Sequence, residues 1–412
     1  MRQTAFLSGV PGTLSSLARI PVLSLMLAAG SLLSGCAMPP APVATPAPPP
    51  APVSFDQAVL NAGNAVFAAA AARGGRQTVV IDPLVNGVTG EQSAATRTLG
   101  ARLTDLARAK YPQLEILPFS AATAATAQLV MVGTFTPVNA QNQPSGAREA
   151  YRFCLVMADL KAGKTVAKSV ARAFPAGIDA APDRAFADSP AWTEDPAIKS
   201  YVSTCQGTKV GDPIPPLYLN GIVTAGMLNQ AMEAYDNARY REALDLYTAA
   251  RATPTGDQLR TYNGLYMTRA KLRQTAEAEA AFGDVVGYGL RANRLGVKLL
   301  FRSGSTAFAQ ETNASGVYDM WLRQIAARSA GAGACLQVTG HTSASGSAAL
   351  NERLSVLRAE TVKGRLEQTN PALRGRVVAA GQGAKEPLVG TGADDGTDTL
   401  DRRVEFKVIP SC

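Results

Sequence analysis

The stretch LQVTGHTSASGS, residues 336–347, followed by LNERLSVLRAETVKGRL, residues 350–366, decides the fold of the last third of this chain. In the first segment Leu336, Val338 and Gly340 recur with the period of two that turns alternate side chains to one face of a strand. In the second the period lengthens to that of a helix, with Leu350, Leu354, Leu357 or Thr361, and Leu366 expected on the face toward the core. Working outward, VKLLFRSGSTAF (297–308) reads as a strand and its turn, and VYDMWLRQIAARSA (317–330) as a helix. GQGAKEP (381–387) reads as a loop and LDRRVEFKV (400–408) as an alternating strand. Element order alone then predicts a βαβαββ unit over 295–412, with helices layered on a mixed sheet.

These segments resemble the OmpA-like family, of the OmpA/Pal/MotB C-terminal type. The resemblance implies a site where the second strand ends and the second helix begins, at which an aspartate and an arginine grip the zwitterionic end of diaminopimelate in the peptidoglycan stem. A planar guanidinium takes a carboxylate with two hydrogen bonds, and a carboxylate takes an ammonium. Here Arg358 stands at the arginine position, while Ser343 stands where the family has aspartate. Losing one charge-assisted hydrogen bond costs about 1.5 to 3 kcal/mol, on the order of tenfold to a hundredfold in affinity. Two outcomes follow. Either Asp401, or one of Asp394, Asp395 and Asp398, supplies the missing charge, or the domain keeps the fold without the ligand. Matching the same motif adds Thr342, Asn351 and Arg403 as contributors to peptidoglycan binding. The other reading of Arg358 is a surface arginine paired with a local carboxylate. Gly340, Gly346, Gly381 and Gly383 are expected to serve turns, and His341, the sole histidine, an interface or solvent rather than catalysis.

The other end of the chain carries an export signature. After Arg2 and Arg19 an apolar run, Ile20 to Leu33, has signal-peptide length and is too short to span a membrane as a helix. It ends in Leu33-Ser34-Gly35-Cys36, which resembles the lipobox of bacterial lipoproteins. That resemblance implies cleavage of a signal peptide, 1–35, and lipidation of Cys36, palmitate included, with more than one acyl chain for stable anchoring. Ala37 in place of an inner-membrane retention aspartate points to the outer membrane, with a periplasm-facing body. Residues 36–54, rich in proline and alanine, form a lipid-anchored linker. Its core, PPAPVATPAPPPAP, is a polyproline spacer at about 3.1 Å per residue, roughly 40 Å in all.

Four cysteines remain, Cys154, Cys205, Cys335 and Cys412. In an oxidising compartment an even set suggests two disulfides. Sequence order favours Cys154 with Cys205 and Cys335 with Cys412, among three connectivities; buried free thiols are the alternative.

Residues 55–215 read as an α/β envelope domain. FDQAVLNAGNAVFAAAAAR (55–73) is helical, RQTVVIDPLV (76–85) a strand, and 91–110 a helix. Strand signals follow at LEILPF, QLVMVGTF and YRFCLVMADL, with TVAKSVARAF returning after a turn at 161–164. The pattern resembles α/β domains of envelope lipoproteins that activate penicillin-binding proteins or attend flagellar and curli assembly. From 221 to 290 the composition turns helical. Ala243, Tyr247 and Ala250 are answered by Ala278, Phe282 and Val285 at a shift of 35, and Tyr235, Tyr240 and Pro254 complete a tetratricopeptide-like pattern. Two copies predict a short helical hairpin stack leaning on its neighbours. The fold class is α+β multidomain.

With 40 Lys and Arg against 32 Asp and Glu the chain is basic, at +8, and loss of Arg2 and Arg19 leaves 8 − 2 = +6. That charge suits an anionic wall and membrane; without a basic cluster or an aromatic stacking stretch, nucleic acid is discarded as a partner. One histidine rules out a zinc site built on two or three imidazoles, and no HExxH, nucleophile elbow, phosphate loop or CxxC occurs. No metal, cofactor or catalytic residue is expected. A carboxylate pair for glycoside cleavage needs only proximity in space and has no motif. The leading expectation is a lipoprotein that tethers outer membrane to wall. The alternative is an envelope scaffold that recruits a protein partner through 55–290.

Overall fold

The computed structural model describes residues 49–144, 148–192, 195–309, 315–388 and 396–412. The signal peptide, Cys36, most of the spacer, Asp394 and Asp395 lie outside the described residues. Residues 49–412 form one compact unit. Among the described residues no helix is long and apolar enough to cross a membrane.

The first half is a five-stranded sheet with helices on both faces. Its elements are α1 (Phe55–Ala71), β1 (Gln77–Ile81), α2 (Ala94–Lys110), β2 (Leu114–Leu117), α3 (Ala121–Ala124), β3 (Leu129–Val138), β4 (Ala150–Asp159), β5 (Lys164–Ala173), α4 (Arg184–Asp188) and α5 (Pro196–Gln206). The order is β2-β1-β3-β4-β5, parallel at β2-β1-β3 and antiparallel from β3 to β5. Alternation sorts its strand residues into two cores. Val79, Leu129, Met131 and Phe135 pack under α1 and α2, whereas Val80, Val130 and Val132 meet Ile198 and Tyr201 of α5. Strands covered on both faces read as continuous apolar runs, which is why this part was legible. Helices α4 and α5 were not. Each starts on an aspartate whose side chain accepts from the third residue on, Asp183 from Phe186 N and Asp195 from Ile198 N. The incoming chain lies along the outer strand, with Val53 N donating to Arg172 O and Phe174 N to Val53 O, so it covers an edge otherwise open to pairing.

Four antiparallel helices follow: α6 (Pro216–Asp236), α7 (Tyr240–Arg251), α8 (Leu259–Lys271) and α9 (Thr275–Arg291). Helix α6 starts ahead of the expected 221, on Pro216 at a position where a missing N–H costs nothing. All six repeat positions, Ala243, Tyr247, Ala250, Ala278, Phe282 and Val285, are buried.

The last part has the expected order: β6 (Arg294–Leu300), α10 (Ser315–Gly331), β7 (Cys335–Gly340), α11 (Ala348–Thr369), β8 (Val377–Gly381) and β9 (Arg403–Ile409). The sheet runs β6-β9-β7-β8, with β7-β8 parallel and the other pairs antiparallel. Its core is continuous with the helices before it. Trp321 of α10 stacks on Phe282 of α9 at 5.2 Å and donates its indole N–H to Tyr266 OH of α8 at 2.9 Å. The sheet's outer edge is also covered, because Trp192 N donates to Gly296 O and Lys298 N to Pro190 O.

Disulfides join Cys154 to Cys205 and Cys335 to Cys412. The first ties β4 to α5, and the second clamps the chain's end to the start of β7.

The inward face expected of α11 fails in part. Leu350 and Leu357 point to solvent, at 59% and 40% exposure, and α11 instead buries Asn351, Ser355, Arg358, Ala359, Val362 and Leu366. The buried face begins polar because it lies under the loops of the candidate site, where backbone groups need partners more than apolar cover.

Candidate functional site

The close approach of α11 to the sheet builds the site. A Cβ on Gly340 would collide with the carbonyl of Ser355, and one on Gly381 with the Ser355 side chain, so both strands end in glycine for clearance rather than for turns. Ser355 Oγ accepts from Gly383 N at 3.0 Å and donates to Glu352 O at 2.7 Å, holding the loop after β8 to the helix. The sequence gives a usable sign of this, a serine facing two strand-terminal glycines, which pattern reading passed over.

Arg358 is not a surface arginine. It is fully buried, and three of its nitrogens donate to backbone carbonyls: Nε to Ser305 at 3.0 Å, one terminal nitrogen to His341 at 2.8 Å and the other to Arg302 at 2.9 Å. The guanidinium also lies 5.2 Å from the centre of the Phe301 ring. It thus fastens the turn after β6 to the end of β7. A charged donor suits this work because each bond to a carbonyl is charge-assisted.

The other expected residues cluster around it and likewise hold backbone. Asn351 Nδ2 donates to Ser345 O at 2.9 Å, and the hydroxyls of Ser343 and Ser345 lie 3.3 Å apart. Thr342 N donates to Gly383 O at 2.9 Å. Asp401 accepts from Leu388 N at 2.5 Å, and Arg403 reaches Glu386 O with two nitrogens at 3.3 Å while bonding the Glu405 carboxylate. Asp398 is buried as well. The fold therefore brings Thr342, Ser343, Asn351, Arg358, Asp401 and Arg403 into one region framed by three loops, 301–308, 341–347 and 382–388.

His341 corrects an expectation: at 1% exposure it faces no solvent. Burial and then the Arg403 charge push its pKa down to about 3, so the ring is neutral at any physiological pH. Burial opposes the Glu405 carboxylate, but the charge and hydrogen bond of Arg403, with Arg294 beyond, hold it below its usual range. Two buried polar atoms of the site, His341 Nδ1 and Thr342 Oγ1, meet no hydrogen-bond partner among the described residues. Such atoms cost free energy unless something completes them. Among the described residues no group of three or more His, Cys, Asp or Glu is placed to hold a metal.

Residues 300–399 match the model of the OmpA family, and the C-terminal part of this chain is an OmpA-family domain. Similar solved structures include the cell wall anchor of the T6SS from Pseudomonas aeruginosa, 25% identical over 31% of this chain and 96% of that one, with a TM-score of 0.24. The peptidoglycan-associated lipoprotein from Burkholderia pseudomallei is 19% identical over 29% and 90% of the two chains, at a TM-score of 0.23. The periplasmic domain of Helicobacter pylori MotB is 20% identical over 28% and 74%, also at 0.23. Comparison with curated proteins gives no match.

Proposed function

We propose that this chain is a lipid-anchored outer-membrane protein whose OmpA-family domain associates non-covalently with peptidoglycan, tethering membrane to wall by binding rather than catalysis. The observation that carries the reading is the family match at 300–399, which takes in the three loops 301–308, 341–347 and 382–388 that frame the polar cluster. Arg358, Ser343, Thr342 and Asn351 within it, together with Asp401 and Arg403 just beyond it, form the region that takes the diaminopimelate stem. The orphaned Thr342 hydroxyl supports this, because a ligand's polar groups would complete it. The domain division is part of the same reading: signal peptide 1–35, anchored linker 36–54, α/β domain 55–215, tetratricopeptide-like helices 221–290 and wall-binding domain 295–412.

A second reading is favoured by one observation, the commitment of Arg358 to three backbone carbonyls beside a serine in the aspartate position. In it the domain keeps the fold without the ligand, and the protein is a scaffold that recruits an envelope partner through 55–290. Co-sedimentation with purified diaminopimelate-type sacculi separates the two. The wall-binding reading expects the wild type to sediment, and Ser343→Asp to sediment about tenfold to a hundredfold more tightly by restoring a charge-assisted bond. A folded wild type that stays in the supernatant moves the function to the scaffold. Lipid anchoring is tested separately: incorporation of a palmitate analogue is expected in the wild type and should vanish in Cys36→Ser.

A further inference from the structure

Between the α/β half and the helical repeat lies a cleft with a cavity of about 60 Å³. Its walls are apolar: Phe186 of α4, Met232 of α6, Tyr247 of α7, and Leu259 and Met267 of α8. Arg260, the second residue of α8, also lines it. Among the described residues its guanidinium meets no hydrogen-bond or ion-pair partner, and its Nε is buried. The acids nearby are engaged elsewhere. Asp195 accepts from Ile198 N at 2.8 Å and Leu259 N at 2.7 Å, so one carboxylate caps α5 and anchors the start of α8. Glu91 accepts from the Thr89 hydroxyl at 2.8 Å. Asp82 feels the Arg260 charge, yet it accepts from Tyr218 OH at 2.8 Å, and burial pushes its carboxyl up to about 7, so near neutral pH it is only partly ionised and offsets the arginine only in part.

Two further side chains on the cleft hold unsatisfied polar atoms: the Trp192 indole N–H, a donor, and Asn263 Oδ1, an acceptor, in residues only 6% and 7% exposed. Leaving buried polar atoms without partners is costly. Guanidinium, N–H donor, amide acceptor and apolar walls together match one chemical unit. The last residue of a peptide offers a carboxylate for the arginine and the indole, its own N–H for the amide oxygen, and a side chain for the walls. A phosphate has no N–H to give to the Asn263 amide oxygen. The cleft does not end there. Gln92 and Met232 also line an adjoining groove of about 460 Å³ between α2 and α6, room for the residues that precede a chain terminus.

We infer that this cleft captures the C-terminal tail of a partner protein, with Arg260 on the terminal carboxylate, Asn263 on the last backbone N–H, and an apolar last side chain against Met232 and Met267. It gives a chemistry to partner recruitment through 55–290 and does not rest on the wall-binding reading. The test is isothermal titration calorimetry on the full chain in detergent, with N-acetylated octapeptides ending in leucine, phenylalanine or alanine, as free acids and as C-terminal amides. At least one acid is expected to bind about tenfold to a hundredfold more tightly than its amide, the usual worth of a charge-assisted bond. It should also bind at least tenfold more tightly than the N-acetylated amino acid alone, because the groove adds contacts. Arg260→Gln should erase the preference for acid over amide, Arg260→Lys should keep part of it, and Met232→Trp, which fills the cleft with the arginine intact, should abolish binding. Unchanged circular dichroism melting shows that each variant is folded, and sacculus co-sedimentation should be unaffected by Arg260→Gln. The inference is overturned if no acid binds, if acids and amides bind alike, if folded Arg260→Gln keeps the preference, or if the N-acetylated amino acid binds as tightly as the octapeptide.

Discussion

Replacing Arg358 with alanine should destabilise the C-terminal domain before it says anything about a ligand. The change strips a donor from three carbonyls, those of Ser305, His341 and Arg302. The bond to His341 O is buried, and leaving that acceptor unsatisfied costs about 1 to 3 kcal/mol. The bonds to Ser305 O and Arg302 O are only part-buried, so water replaces the guanidinium there at about 0.5 to 1.5 kcal/mol each. Losing the contact with the Phe301 ring adds roughly 0.5 to 1 kcal/mol. Together these give about 2.5 to 7 kcal/mol, a large part of the 5 to 15 kcal/mol by which a typical domain is stable. Urea unfolding followed by the fluorescence of Trp321, which sits in the core this domain shares with α8 and α9, measures the loss. Arg358→Lys, which can reach one carbonyl at a time, should fall between alanine and wild type. A loss under about 1 kcal/mol for Arg358→Ala would refute the pinning role and leave the arginine free to act on a ligand alone.

Gly340→Ala places a methyl group on the Ser355 carbonyl and should cost about 2 kcal/mol or more by forcing α11 off the sheet, read as a lowered melting temperature. The Asp82 carboxyl, raised by burial from 3.8 to about 7, binds a proton more tightly folded than unfolded, so its contribution is complete below about pH 4 and is lost as the pH rises through 7. Stability should therefore fall over that window by up to about 4 kcal/mol at 1.36 kcal/mol per pKa unit, and Asp82→Asn should flatten the slope in urea titrations at several pH values. Breaking the Cys335–Cys412 bond, which closes a span of 77 residues, should cost about 3 to 5 kcal/mol of unfolding free energy, measured by comparing the Cys335→Ser/Cys412→Ser double variant with wild type.

Local pattern was enough for most elements and their order, though not for α4 and α5. The period of two in Leu336, Val338 and Gly340, the apolar runs of β1, β3 and β4, and the recurrence of Ala243, Tyr247 and Ala250 at 278, 282 and 285 all reflect burial that repeats along one element, and a single sequence displays such repeats. The location of the candidate site was legible too, because a motif carries it. The buried face of α11 was misread, since leucines mark an apolar face only when the neighbour is apolar. Here the neighbours are the backbones of three loops, so serine, asparagine and arginine went inward while Leu350 and Leu357 went out. Arg358 shows the same division: sequence placed it at the site, and only the fold revealed that its donors meet carbonyls 17, 53 and 56 positions away. Asp195 capping α5 and anchoring the start of α8, and Trp321 joining α10 to the repeat, are likewise juxtapositions of residues remote in the chain. Hydrogen bonding and charge pairing act through space at about 3 Å, a distance that sequence separation does not encode, so composition and period fixed the elements and tertiary packing alone decided which polar groups meet.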